Sequence, residues 1–526
     1  MFKNHPKGLI PAALSNMGER FGYYIMNAVL VLFLCSKFGL SDETSGIIYS
    51  CFYAGIYILS LVGGLIADKT MNYKRTIIQG LIIMTLGYGV LAIPILSTAD
   101  NRSWLLPLTC VALFLIAFGN GLFKGNLQAI VGQLYDNPRY AAQRDSGFQI
   151  FYVFINVGGL IAPFVAPMLR SWWLGVHGLT YNADLPRLAH EYLSVGDNMN
   201  MENANNLYAL ITQVGGDTSA DISAFCTQYL DVFNTGIHYS FIASIAAMLI
   251  SLCIFVACKG GLPNPGRKEA VATVNYTAEE RVAMAREIKQ RMYALFAVLG
   301  IAIFFWFSFH QNGTSLSLFA RDFVRTDAIA PEIWQAVNPF FVIVLTPLIM
   351  LIFGRLAARG REISTPRKIG IGMGIAGITY LFLMVYSYMM GYPSAEAFKA
   401  MDTTAAEAMK SGWWIMFVIY FFLTVAELFI SPLGLSFVSK VAPKHMQGLC
   451  QGLWLGATAL GNLLLWVGPL MYNKWPIWEA WGVFLLVCLV SMVVMFGMVK
   501  WLERVTSEAP AAAASPAPAV EDSDAI

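Results

Sequence analysis

Residues 415–436 read IMFVIYFFLTVAELFISPLGLS. The run is long enough to cross a bilayer as a helix, and its single charge, Glu427, falls near the middle. A carboxylate at that depth costs roughly 2.5–3.5 kcal/mol on insertion scales, so it is expected to face the inside of a helix bundle. The nearest candidate partner by the same logic is Lys124, deep in the apolar run LPLTCVALFLIAFGNGLFKGN. The sequence therefore predicts a Lys124–Glu427 pair at one water-filled cavity.

The rest of the chain agrees with a membrane setting. Of its 526 residues, 57% are hydrophobic and 13% are charged, about half the charged share of a soluble domain. Apolar residues come in blocks near the length of a spanning helix. A net charge of +2 does not suggest a nucleic-acid partner. Cysteines such as Cys35, Cys51, Cys110, Cys253 and Cys488 stand isolated in apolar stretches and read as small buried hydrophobes rather than a disulfide set or metal site. No cofactor is expected. The start, MFKNHPKGLIPAALSNMGERFGYY, carries charges where a signal peptide needs an apolar core.

Twelve spans are expected, with centres near Val29, Ile56, Met84, Leu115, Asn156 and Ala247, then Phe304, Val344, Ala376, Thr424, Ala459 and Val487. They divide six and six around the polar segment Lys259–Arg291. The fold class is an all-α polytopic membrane protein with a site between two six-helix halves. Lys124 and Glu427 each fall on the fourth helix of a half. The expected organisation is residues 1–258 for the first half, 259–292 for a linker with a helix beginning near Thr277, 293–505 for the second half, and a low-complexity tail at 506–526. Lys259–Arg291 holds seven Lys/Arg and Arg355–Lys368 holds five. The positive-inside rule puts both, with both termini, in the cytoplasm. The segment at about 171–235 has one Arg and seven Asp/Glu and is expected outside, partly helical.

Polar residues inside the spans mark candidate chemistry. Glu19 and Arg20 are adjacent, about 100° apart on a helix, so each is expected to find some other partner. Tyr23 and Tyr24 follow one turn on, as a cavity face or as interface aromatics. Asp68 with Lys74 and Arg75 suggests a cytoplasmic charge latch. Asn156 needs a partner from a neighbouring helix or a ligand, and Asn338 poses the same question. His310 is either a hydrogen-bonded structural residue or a group that titrates near neutrality.

Several stretches together resemble the proton-dependent oligopeptide transporter family of the major facilitator superfamily. They are FYVFINVGGL, ERFGYY, GGLIAD with KRTI, GNGLFKGN, AELFISPLGLSFVSKVAP and GLWLGATALGN. The resemblance implies the major facilitator fold and proton-driven import of di- and tripeptides by alternating access. It places Arg20, Tyr23, Tyr24, Tyr57, Lys124, Asn156, Trp306, Asn338, Glu427, Ser431 and Trp454 at the substrate. Glu427, with Asn156 and Asn338, would hold the peptide's amino terminus, and Lys124 and Arg20 its carboxylate. Glu19, Glu427 and His310 would carry protons.

Three positions depart from the family pattern. Asn16 replaces the first glutamate of its E-x-x-E-R motif, Asn27 replaces a second arginine, and His310 replaces the acid that faces that arginine. These departures motivate a second reading, the same fold moving another peptide-like substrate with altered coupling. A third reading is a membrane sensor that binds peptide. Nothing in the sequence suggests an enzyme: no nucleophile–base pair or phosphate loop stands out. The expected partners are a small peptide, protons and the bilayer of a bacterial inner membrane, with the chain working as a monomer.

Overall fold

In a computed structural model of the chain, residues 4–98, 100–182, 184–218, 221–263, 278–325 and 334–507 are described. Residues 264–277 of the linker and nearly all of the tail lie outside these residues. The described structure is almost entirely helical, as a bilayer demands, because a helix satisfies its own backbone polar groups.

The first part of the chain forms α1 (Leu9–Phe38), α2 (Asp42–Thr70), α3 (Tyr73–Leu91), α4 (Arg102–Leu134) and α5 (Arg144–Val176). Two short helices follow, α6 (Leu185–Val195) and α7 (Met201–Gln213), then α8 (Ile222–Cys258). The second part forms α9 (Ala278–Phe309), α10 (Ser315–Phe323), α11 (Trp334–Ala358), α12 (Thr365–Met389), α13 (Ala395–Lys399) and α14 (Thr403–Met409). It ends with α15 (Trp414–Leu428), α16 (Ser431–Val441), α17 (Gln447–Leu463), α18 (Val467–Lys474) and α19 (Ile477–Ser507). Local chemistry sets several starts. Ser41 accepts a hydrogen bond from the Thr44 N–H at 3.2 Å and so caps α2. Asp221 does the same for Ser223 and Ala224 at the head of α8.

All twelve expected centres fall inside long helices. Among the described residues eleven segments are long and apolar enough to cross a membrane, and α3, shorter, is the twelfth helix of the bundle. The tenth span is not one rod. It breaks after Glu427, between α15 and α16, where Pro432 in the first turn of α16 can donate no backbone hydrogen bond to Leu428.

Packing follows two groups. In the first, α1 lies on α5 and α8, α3 on α4 and α8, and α2 on α4. In the second, α12 lies on α19 and α15, α9 on α17 and α19, and α11 on α15. The groups meet where α2 and α4 touch α17 and where α5 touches α11 and α16. One meeting point is backbone against backbone: a Cβ on Gly64 would stand 2.5 Å from the Gly448 carbonyl. Only glycine lets α2 and α17 approach so closely.

The insert is smaller than the sequence suggested. Helices α5 and α8 run on to Val176 and back to Ile222, leaving 177–221 between them. Hydrophobic periodicity does not mark where a span leaves the bilayer, so the helical extensions were counted as loop. Within the insert, α6 packs on α8, α7 and α1. The His190 imidazole Nε2 meets the Ser36 carbonyl at the end of α1 at 2.6 Å. Arg170 lies over the Tyr181 ring at 3.8 Å from its centroid.

Candidate functional site

A cavity of about 840 Å³ lies between the two groups. It is lined by α1, α2, α4 and α5 on one side and by α9, α11, α15, α16 and α17 on the other. Along α5 its lining runs from Tyr152 out to Pro167, toward the insert, and takes nothing from the opposite end of that helix. The cavity therefore reaches from mid-bundle to the insert side.

The break between α15 and α16 presents Glu427 to this space. Its side chain is 5% exposed. One carboxylate oxygen accepts from the Tyr152 hydroxyl and the other from Asn338 Nδ2 at 2.7 Å, while Asn338 Nδ2 also reaches Thr424 Oγ1 at 3.0 Å. All of these partners are neutral. Lys124 lines the same cavity with its ammonium 5.5 Å from the centroid of the Tyr57 ring. Among the described residues neither an ion pair nor a hydrogen bond joins it to Glu427. The expected direct pair is thus not formed. With the cavity open, the two charges stand apart, Glu427 on neutral hydrogen-bond partners and Lys124 over the Tyr57 ring.

The Glu19–Arg20 expectation is overturned. Arg20 Nε and Nη2 donate to the two Glu19 carboxylate oxygens, each at 2.6 Å. The 100° between adjacent Cα–Cβ directions is spanned by the long arginine side chain, which folds back so that its planar fork meets the carboxylate. Glu19 is fully buried and also accepts from Asn120 Nδ2 at 2.7 Å. Arg20 reaches the cavity; Glu19 does not. Tyr23 is also absent from the lining, buried beneath the Arg20 guanidinium at 4.7 Å and stacked on Phe52.

The other predicted substrate residues, Tyr24, Tyr57, Asn156, Trp306, Asn338, Ser431 and Trp454, all line the cavity. Asn156 finds its partner on its own helix, donating to the Tyr152 carbonyl at 2.9 Å, an option the sequence reading did not include. Trp306 and Trp454 meet edge to face at 6.5 Å. His310 lines the wall, stacked on Trp306 at 4.8 Å and joined through Nδ1 to Asn462 Oδ1 at 2.5 Å. Sequence reasoning missed Tyr53, Gln128 and Tyr152. Tyr53 was findable, since Tyr49, Tyr53 and Tyr57 repeat at the four-residue spacing of one helix face.

The far side from the insert is closed by charge. Asp68 does not latch to Lys74 or Arg75. Its carboxylate accepts the backbone N–H groups of Gly448 at 2.9 Å and Leu449 at 2.7 Å, at the start of α17, and the Tyr73 hydroxyl. A helix N-terminus offers free donors and partial positive charge, and this one outcompetes the exposed basic side chains. Lys74 instead donates to the Lys259 carbonyl at 2.7 Å, within the first group. Asp145, at the head of α5, is a second tie. It accepts from Lys368 at 2.8 Å, Lys440 at 2.7 Å and Ser436 at 2.6 Å, all from the second group. The sequence read Lys368 only as an orientation charge. The signal for Asp145 was an acid opening an apolar span on the side where the lysines gather.

Two helical groups around a mid-bundle cavity, sealed at one end, with isolated charges of both signs inside, define a secondary carrier. Comparison with known proteins narrows this. The POT family profile matches residues 74–278 and 267–477, and the chain belongs to that family. It is 28% identical to the dipeptide and tripeptide permease B of Edwardsiella piscicida, over 88% of this chain and 86% of that one. It is also 28% identical to the peptide transporter YePEPT of Yersinia enterocolitica subsp. palearctica, over 88% and 87%. The fold matches a crystal structure of a POT family transporter in complex with 5-aminolevulinic acid, with a TM-score of 0.57, 19% identity and coverage of 96% and 98%.

Proposed function

We propose that this protein imports di- and tripeptides together with protons, by alternating access. The observation that carries the reading is the separation of Glu427 and Lys124 across one cavity, with no ion pair or hydrogen bond between them among the described residues. A zwitterionic peptide supplies both missing counterions. Its ammonium meets Glu427, Asn338 and Asn156; its carboxylate meets Lys124 and Arg20. Tyr24, Tyr57 and Ser431 flank its backbone, and Trp306 and Trp454 form an apolar wall that tolerates varied side chains.

Protons enter this scheme at Glu427 and at Glu19. A proton arriving at Glu427 displaces the peptide ammonium from the same oxygens and so drives its release. Loss of a proton from Glu19 restores the pair that neutralises Arg20. Residues 1–258 and 293–505 move as the two bodies, joined by 259–292. The present state is closed toward the cytoplasm by Asp68 and Asp145 and open toward the insert. The membrane is the bacterial inner membrane, with both termini cytoplasmic. The cavity is complete within one chain, which supports a working monomer.

The test is uptake of labelled dialanine into liposomes holding the purified protein, under an inward proton gradient, with and without a protonophore. Accumulation abolished by the protonophore is the expected result. Exchange without accumulation would remove the coupling from the proposal. No uptake by folded protein would favour the second reading, another peptide-like substrate, for which Asn27 and His310 are the motive: they line the outer cavity without a charged pair between them.

A further inference from the structure

His310 sits at the outer end of α9, one turn beyond Trp306, and Asn462 at the outer end of α17. The two helices meet there because Gly461 has no side chain: a Cβ at that position would lie 2.7 Å from the Ile303 carbonyl oxygen and 2.8 Å from Trp306 Cβ. The close approach brings Asn462 Oδ1 to 2.5 Å from His310 Nδ1. An amide oxygen only accepts, so Nδ1 carries the hydrogen and Nε2 is left with a lone pair. The ring plane is fixed as well, 19° from parallel on Trp306, with Phe309 packed edge-on against it at 5.5 Å. No described carboxylate pairs with the imidazole. Glu427, Lys124 and Arg20 lie deeper, so a peptide whose termini engage them brings only a side chain or a third residue to His310.

We propose that His310, positioned by Asn462, is a specificity-determining residue: it presents an uncharged hydrogen-bond acceptor that selects substrates with a donor, a primary amide or hydroxyl, on the outward-facing side chain. A site built around one hydrogen bond rejects the analogue that lacks it, because the acceptor is then left desolvated and unpaired. The inference rests on the peptide reading.

The experiment measures binding to purified full-length protein at pH 7.5 by isothermal titration, comparing Ala-Gln with Ala-norleucine, which is of similar length but has no donor. Wild type is expected to favour Ala-Gln about tenfold. His310→Phe is expected to bring the ratio to within about twofold, and His310→Gln, which keeps an acceptor, to retain most of it. Asn462→Leu frees the ring to adopt the other tautomer and lowers the ratio, whereas Asn462→Gln recovers part of it, which a purely structural role would not do. Equal affinities in wild type, or a preference unchanged in His310→Phe, would overturn the proposal while leaving the peptide reading intact. If neither peptide binds, the peptide reading fails and this inference falls with it.

Discussion

The Glu427 carboxylate and the Lys124 ammonium line one cavity and do not touch. Two opposite charges, each largely buried in the bundle and kept apart, are costly unless something else completes them. Glu427→Gln keeps the shape and the contact with Asn338 but removes the charge. It is expected to weaken dialanine binding about 10- to 100-fold, the worth of a charge-assisted hydrogen bond, and to abolish proton-driven accumulation. An N-acetylated dialanine, with no ammonium to lose, should bind wild type and variant alike. Normal accumulation by Glu427→Gln would sink the mechanism.

Glu19 and Arg20 are a buried pair whose members depend on each other. Glu19→Gln leaves a guanidinium buried without its counterion, and loss of about 3 kcal/mol of stability is expected. Replacing both, Glu19→Gln with Arg20→Leu, should recover part of that loss. Thermal unfolding in detergent compares the three proteins. A double variant no more stable than the single would show that the pair's charge is not what matters.

Asp145 ties the first helical group to Lys368 and Lys440 of the second. Asp145→Asn keeps the volume and leaves two lysines facing each other. The closed end, opposite the insert, should then open in a larger fraction of molecules. Spin labels at the exposed positions Asn137 and Lys444 report it: a longer-distance population is expected to grow in the variant. An unchanged distance distribution would mean that Asp68 and the glycine contact hold the closure without Asp145.

His190 docks α6 onto the end of α1. Burial holds its titration below the usual histidine range and the Arg102 charge adds to this, while the bond to the Ser36 carbonyl opposes it. The folded state therefore binds this proton less readily than the unfolded state. Docking is fully stable above about pH 6.5 and weakens as pH falls below it. Protection factors over 185–195, which remove the intrinsic pH dependence of amide exchange, should fall between pH 6.5 and 5 in wild type and much less in His190→Gln. Equal loss of protection in both would place the pH sensitivity elsewhere.

The twelve helices were legible because apolar runs of spanning length say what they are. Glu427, Asn338 and Lys124 were legible because a polar group at that depth needs a reason; Trp306 came only from the family resemblance. What escaped was pairing. Which group holds Glu427, the neutral Tyr152 hydroxyl or the charged Lys124, depends on how far the two helical groups have parted, and no local pattern records that. Glu19 with Arg20 failed for a different reason: backbone direction was used where side-chain length decides. Asp145 and Lys440 lie 295 residues apart in the chain, and only the folded bundle makes them neighbours. His310 was singled out, but Asn462, which gives its ring a defined tautomer, was not.

The contact of Gly64 with Gly448 has an electrical consequence. Main chain pressed on main chain leaves no rotamer that can swing aside, so thermal jitter of side chains opens no wire of water at that contact. It gives way only when whole helices shift, which ties any leak of ions at this point to the same motion that would open the closed end.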